Sequence, residues 1–362
     1  MSRGELQPAH PAASCGCGGR VLQRGRLRQG GGAAPAGAGD DRLNAMEYRR
    51  LGTSGLKVSE VSLGSWLTYG GSVDFAAARE IIHAAYDLGI NLFDTADVYS
   101  GGQGEAALGE ALRGIPRSHL VIATKCYFPV SERPNDRGLS RKHIVESVEA
   151  SLRRLRTDYI DLHQCHRPDP ETPVEETVRA YEDLVRQGKL LYWGVSEWSA
   201  AQIVDACRTA DAKNAYRPIS SQPQYSILRR RIEAEILPTC EAEGLGQIVW
   251  SPLGQGVLTG KYSGGARPAG SRATDPERGH FMQRLLAEDI LERVDQLKPL
   301  ADELGLSLAQ LALAWCLRRS GVSSVIVGAT QVKQVEENAG AAGVRLPPEA
   351  VERIDALFPA TG

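Results

Sequence analysis

Asn91-Leu92-Phe93-Asp94-Thr95-Ala96-Asp97, residues 91–97, begins apolar and ends on two carboxylates. An apolar run of that length, with polar residues gathered at its far end, reads as a buried strand that delivers chemistry where it stops. Working outward, β-rich runs of similar length recur near Val61–Trp66, Leu120–Lys125, Tyr159–His166, Leu191–Ser196, Ile219–Tyr225, Gln247–Leu253 and Ser323–Gly328. With the first run, that makes eight candidate strands. Helical patterns lie between them. In 74–88, Ile81, Ala85 and Leu88 share a face, and Gly89 stands where a helix would stop. In 142–156, Ile144, Val148, Leu152 and Leu155 do the same. Thr172-Pro173-Val174-Glu175 reads as a capping box with Pro at the first turn, and Ser199–Gln202 and Ser307–Gln310 read as two more.

Eight β-then-α units predict an α/β fold, a closed (β/α)8 TIM barrel with extra helices near the C-terminus. An open doubly wound sheet is the alternative, but no Gly-x-Gly-x-x-Gly follows the first run. Residues 47–59 read as a hairpin around Thr53-Ser54-Gly55 that could plug the barrel bottom. The polar, Gly-rich stretch 254–282 reads as a functional loop.

The chain has 362 residues, room for one such barrel of about 250 residues with decoration. Residues 46–362 are expected to form it. Residues 1–45 are Gly-, Ala- and Arg-rich, with only Leu6, Val21, Leu22, Leu27 and Leu43 as sizeable aliphatics, and predict a disordered extension with Met46 the more natural start. Basic and acidic residues number 42 and 44, which gives no push toward nucleic acid or an anionic membrane. No apolar run reaches the roughly 18 residues of a membrane span. Seven cysteines, an odd and scattered set, read as reduced thiols in a cytoplasmic protein. Cys15-Gly-Cys17 lacks partners at ligand spacing, so no metal is expected.

Barrel chemistry belongs at the C-terminal strand ends. There the second run ends Asp94-Thr95-Ala96-Asp97-Val98-Tyr99, the third ends at Lys125 and the fourth at His166. An acid, a phenol, an ammonium and an imidazole on neighbouring strands suit proton donation to a carbonyl oxygen. The ammonium stabilises the phenolate, the carboxylate holds the ammonium, and the imidazole orients the oxygen. None of the four can supply a hydride, so a cofactor must.

Phe93-Asp94-Thr95-Ala96-Asp97-Val98-Tyr99, Ala123-Thr124-Lys125, Asp161-Leu162-His163-Gln164-Cys165-His166, Gly194-Val195-Ser196 and Trp250-Ser251-Pro252-Leu253-Gly254 resemble, in order, the motifs of the aldo-keto reductase superfamily. The resemblance covers roughly residues 47–358. Gly138-Leu139-Ser140-Arg141-Lys142-His143-Ile144, Arg167-Pro168-Asp169-Pro170-Glu171-Thr172-Pro173 and Gln310-Leu311-Ala312-Leu313-Ala314-Trp315-Cys316-Leu317-Arg318 carry a nearer likeness to the branch with the voltage-gated potassium channel β subunits and their bacterial relatives. The resemblance implies Tyr99 as general acid, Lys125 lowering its pKa, Asp94 paired with Lys125 and His166 positioning the carbonyl. Channel subunits of that branch carry Asn at the place of His166, which moves this chain toward the ordinary reductase pattern.

The resemblance further implies NADP(H) extended across the barrel mouth. Ser196 and Gln222 match the groups that bind the carboxamide, and Trp250 matches the aromatic stacked on the nicotinamide. Ser65 and Trp66 would line that pocket. Ser251, Pro252, Leu253, Gly254 and Gln255 match the pyrophosphate loop, where backbone N–H groups approach phosphate. Lys261 and Arg272 match the cations of the following loop, and Arg272 favours NADPH over NADH through a 2′-phosphate. Gly328, Thr330, Gln334, Glu337 and Asn338 match the adenosine end, with a helix start near 331. Glu197 stands where many relatives have Asn or Arg, and Gly270 where the channel subunits have Tyr. Phe128, Pro129, Trp66, Tyr69 and Trp198 are expected to wall an apolar carbonyl site, with 127–138 as its specificity loop. A small carbonyl compound is the expected partner, and monomer and tetramer both stay open. A redox-sensing subunit with slow turnover is the rival reading. An aldolase using Lys125 as a Schiff base leaves Arg272 without a role.

Overall fold

The computed structural model describes residues 46–66, 74–275 and 279–360. The 1–45 extension, Cys15, Cys17 and Tyr69 lie outside them. A hairpin of β1 (Tyr48–Arg50) and β2 (Lys57–Ser59) comes first. Eight strands follow: β3 (Val61–Gly64), β4 (Leu92–Asp94), β5 (Val121–Cys126), β6 (Ile160–Cys165), β7 (Leu190–Ser196), β8 (Ser220–Gln222), β9 (Gly246–Trp250) and β10 (Val322–Val327). They close in chain order, every neighbour parallel, with β10 returning to pair with β3 through Val325 and Val61. The expected (β/α)8 barrel is the observed fold, and each of the eight predicted runs contains or overlaps one barrel strand.

The helices are α1 (Phe75–Asp87), α2 (Gln103–Ala111), α3 (Arg141–Leu155), α4 (Val174–Arg186), α5 (Ala200–Ala212) and α6 (Ile236–Glu243). Between β9 and β10 lie α7 (Glu288–Asp295), α8 (Lys298–Glu303) and α9 (Leu308–Leu317), and α10 (Val332–Ala339) and α11 (Pro348–Leu357) come last. Ile144, Val148, Leu152 and Leu155 of α3 are all buried, as their spacing required. Ser199 and Ser307 each accept from the backbone N–H three residues on while Gln202 and Gln310 reach back, so both of these capping boxes form. The third does not. The Thr172 hydroxyl donates to Asp169 Oδ2 at 2.7 Å, and α4 starts after Pro173 with no side-chain cap. Asp169 outcompetes the helix end because it already collects the N–H groups of Leu139 and Glu171. No single described helix is long and apolar enough to cross a membrane. The most apolar, α9, is buried along its length.

Two-residue alternation decides what faces the barrel interior. Leu92, Val121, Ala123, Leu162, Ile248 and Ile326 form one inner cluster. Asp94, Lys125, Gln164 and Trp250 lie two residues further along the same faces and close its upper end. The odd-numbered residues of β6 point outward instead, so His163 meets Tyr181 of α4 at 2.9 Å. The eighth-strand pairing is short because Pro223 has no N–H to extend the ladder past Gln222.

The hairpin plugs the lower end. Leu51 and Val58 join the inner cluster, and Thr53 N donates to Gly244 O at 2.9 Å. Gly52 has φ +60°, and a Cβ there would lie 2.2 Å from Gly244 O. Left-handed backbone and contact with main chain both demand glycine. Gly52→Ala is expected to cost about 1–3 kcal/mol from overpacking alone. Urea unfolding measures it, and an unchanged midpoint would mean that the plug does not hold the barrel bottom.

Candidate active site

The register of β4, β5 and β6 sets the site. Asp94 pairs with Ala123 and Lys125 with Gln164 across the strands, so the carboxylate and the ammonium emerge side by side on the inner face. Lys125 Nζ donates to Asp94 Oδ1 at 2.6 Å and to Thr95 O at 2.7 Å. Gln222 Nε2, from β8 across the barrel, donates to Asp94 Oδ2 at 2.8 Å. Lys125 has no solvent exposure, and Asp94 is 4 % exposed. A buried ion pair of this kind holds only if the remaining donors and acceptors are met, and here they are.

Tyr99 stands beside this pair, with Lys125 Nζ 5.2 Å from its ring centre. The His166 ring meets Tyr99 edge-on, centres 5.7 Å apart, and Phe128 meets His166 edge-on at 4.9 Å. The four residues expected to converge do converge. Their electrostatics refine the expectation. Burial raises the Tyr99 pKa, and Lys125 pulls it back without overcoming that rise. Tyr99 is therefore a protonated phenol at neutral pH. For Lys125, burial works downward, but the Asp94 and Tyr99 charges outweigh it and the ammonium persists. His166 is held well below the usual imidazole range by burial and by the Lys125 and Arg167 cations, so its ring is neutral. Its Nδ1 is buried without a protein partner.

The remaining predicted residues occupy the same rim. Ser65 N donates to Asp94 O, and Ser65 Oγ to Thr95 Oγ1 at 2.8 Å. Trp66 packs edge-on against Trp250 with centres 6.0 Å apart. Ser196 Oγ donates to Gln222 O at 2.8 Å. Glu197, at φ +58°, accepts from Trp250 Nε1 at 3.0 Å and from Gln224 N at 2.6 Å, and pairs with Arg231. Its charge is thus spent on orienting the indole. Arg272 bonds Gln255 Oε1 and lies 5.8 Å from the Trp66 ring centre.

Ser251, Gly254, Gln255 and Gly256 all have positive φ, so the chain after β9 folds into a tight turn. The N–H groups of Gly254, Gln255 and Gly256 bond Ser251 and Leu253 within that turn. These three donors are engaged within the turn, which presents small residues and one cation. A Cβ on Gly256 would lie 3.0 Å from Lys261 Cε and Nζ, and no described carboxylate pairs with Lys261. Gly328 and Thr330 follow β10, and Gln334 Oε1 accepts from Thr330 N at 2.8 Å. Gln334, Glu337 and Asn338 lie on α10, which starts at Val332 as expected near 331. Of the aromatic wall, Phe128 and Trp66 reach the site. Trp198 is buried in the core cluster and Pro129 is exposed. The five cysteines of the body are buried free thiols, and no metal-like cluster exists among the described residues.

This donor set at one barrel mouth coincides with a family-wide match. Residues 60–358 match the model of the aldo/keto reductase family. The chain belongs to the aldo/keto reductase family. Members of that family reduce small-molecule carbonyls with NAD(P)H. It is 48 % identical over 317 residues to a protein of Oryza sativa subsp. japonica named "Probable voltage-gated potassium channel subunit beta", covering 86 % of this chain and 96 % of that one. A protein of the same name from Arabidopsis thaliana is 48 % identical over 318 residues, covering 86 % and 97 %.

Two neighbours of this candidate site escaped the sequence reading. Arg167 follows His166 directly and borders Phe128 at 5.4 Å. Asp97 lies beneath the site, taking a hydrogen bond from Ser147 at 2.8 Å. Burial, and secondarily Glu105, raise its pKa from 3.8 to about 7 against the pull of Ser147 and Arg154. The folded state therefore binds this proton more tightly than the unfolded one. That contribution to stability is complete below the free value and is lost as pH rises to about 7. In Asp97→Asn the decline in stability between pH 5 and pH 8 should shrink by roughly 1–3 kcal/mol. Chemical denaturation at the two pH values measures this, and equal slopes in the two proteins would show that Asp97 titrates normally.

Proposed function

We propose that this chain reduces an aldehyde or ketone to an alcohol with NADPH, using Tyr99 as the proton donor. The observation that carries the reading is the buried Gln222–Asp94–Lys125 chain beside a protonated Tyr99 and a neutral His166. Lys261 and Arg272 suit the 2′-phosphate of NADPH, Trp250 the nicotinamide face, and Ser196 with Gln222 its carboxamide. When bound, that cofactor supplies the hydride.

Tyr99 would give its phenolic proton to the carbonyl oxygen as negative charge develops there. The phenolate left behind faces the Lys125 ammonium, which Asp94 keeps charged. Neutral His166 can hold the carbonyl oxygen by an N–H hydrogen bond without adding a charge that would compete with Lys125. Glu197 fixes the Trp250 ring plane through the indole N–H.

The names of the rice and Arabidopsis relatives favour a second reading, a cytoplasmic NADP(H)-binding subunit of a potassium channel that senses redox state and turns over slowly. The same site serves both readings, and the rate of hydride transfer separates them.

Tyr99→Phe keeps the ring and its packing but removes the proton. Its kcat/KM with a short aldehyde should fall about 10²- to 10⁴-fold. NADPH binding, followed by quenching of tryptophan fluorescence, should persist. Full turnover in Tyr99→Phe would overturn the assignment of the proton donor.

A further inference from the structure

Arg167 is a half-buried cation with no carboxylate partner among the described residues. One of its N–H groups, on Nη1, donates to His166 O at 2.5 Å. Its guanidinium lies 5.4 Å from the Phe128 ring centre, Phe128 meets His166, and His166 meets Tyr99. The cation therefore borders the same wall as the proton donor, and its charge is felt at both Tyr99 and His166.

Structural arginines in this chain come with carboxylates. Arg49 meets Glu60, Arg117 meets Asp161, Arg154 meets Glu105, Arg230 meets Glu233 and Asp355, and Arg318 meets Glu233. No described carboxylate lies within ion-pair distance of Arg167. Asp169, two residues on, is turned to Leu139 N, Glu171 N and the Thr172 hydroxyl instead. The other nearby cation, Lys125, is already matched by Asp94. The wall beside Tyr99 thus carries one uncompensated positive charge, on a side chain whose five donors form a planar fork suited to paired anionic oxygens.

We infer that Arg167 is a specificity-determining residue that receives an anionic group, a carboxylate or a phosphate, carried by the carbonyl substrate. This rests on the carbonyl-reducing reading above and deepens it to a substrate class. Phe128 backs the guanidinium plane and supports the fork from one side.

The test compares matched probes on the purified protein with NADPH: 4-oxobutanoate, its methyl ester, glyceraldehyde 3-phosphate and glyceraldehyde. The wild-type protein should favour the charged member of at least one pair by about 10- to 100-fold in kcat/KM, through KM, as for hydrogen bonds to a charged group. A preference confined to one pair identifies the source of the anion. Added salt should narrow it. Arg167→Met should erase the preference, lowering kcat/KM for the charged probes at least about 10-fold more than for their neutral partners, and Arg167→Lys should restore part of it. Reduction of the neutral aldehydes without any preference would overturn this inference and leave the reductase reading standing. An equal loss on charged and neutral probes in Arg167→Met would also overturn it, showing that the guanidinium only positions His166. No reduction of any probe would overturn both readings.

Discussion

A lysine ammonium without solvent sits at the centre of the barrel mouth, and much of the surrounding structure is arranged around it. Moving such a charge out of water costs several kcal/mol unless a counter-charge and full hydrogen bonding replace the lost hydration. Asp94 supplies the charge from the neighbouring strand. Thr95 O and Gln222 Nε2 fill the places that the pair leaves open. Because Gln222 reaches across from β8, the pair ties opposite walls of the barrel together. The closed parallel sheet is what makes that span short enough.

From this constraint the polarity of the site follows. A fixed cation between a carboxylate and a phenol opposes the rise that burial imposes on the phenol without cancelling it, and it adds to the burial that keeps a neighbouring imidazole neutral. Tyr99 and His166 thus hold the protonation states that proton donation and carbonyl orientation require. Further out, Glu197 serves the Trp250 indole rather than leaving a free negative charge near the mouth. Cations gather at the rim, in Lys261, Arg272 and Arg167, where the proposed anionic cofactor and substrate would meet protein.

The barrel was legible because strand and helix signals alternate eight times, and because Asp94, Lys125 and His166 each stand at a strand end. Parity alone puts them on the inner face. Lateral competition was not legible. Thr172 looked like a cap, yet Asp169 takes its hydroxyl. The loop after Trp250 read as one whose backbone N–H groups approach phosphate, and the sequence did not show that its own turns engage three of those donors. Glu197 stands where relatives have Asn or Arg, and the sequence did not show the three partners from other segments that absorb its charge. Each miss concerns hydrogen bonds between residues whose meeting depends on tertiary structure. Arg167 stood in plain view beside His166, but its lack of a counter-ion becomes visible only when every neighbouring carboxylate has been assigned.

On the proposed reading, Tyr99, Lys125, Asp94 and His166 catalyse hydride transfer from a bound nucleotide to a carbonyl, and the chain is no passive holder of that nucleotide. A single-turnover experiment tests it most directly. The protein is loaded with NADPH deuterated at the transferring position and mixed with excess short-chain aldehyde. The reduced-nicotinamide absorbance should fall in one exponential phase, and the deuterium should appear on the carbinol carbon of the product. Bound nucleotide that stays reduced, with no labelled alcohol from any aldehyde or ketone offered, would contradict it.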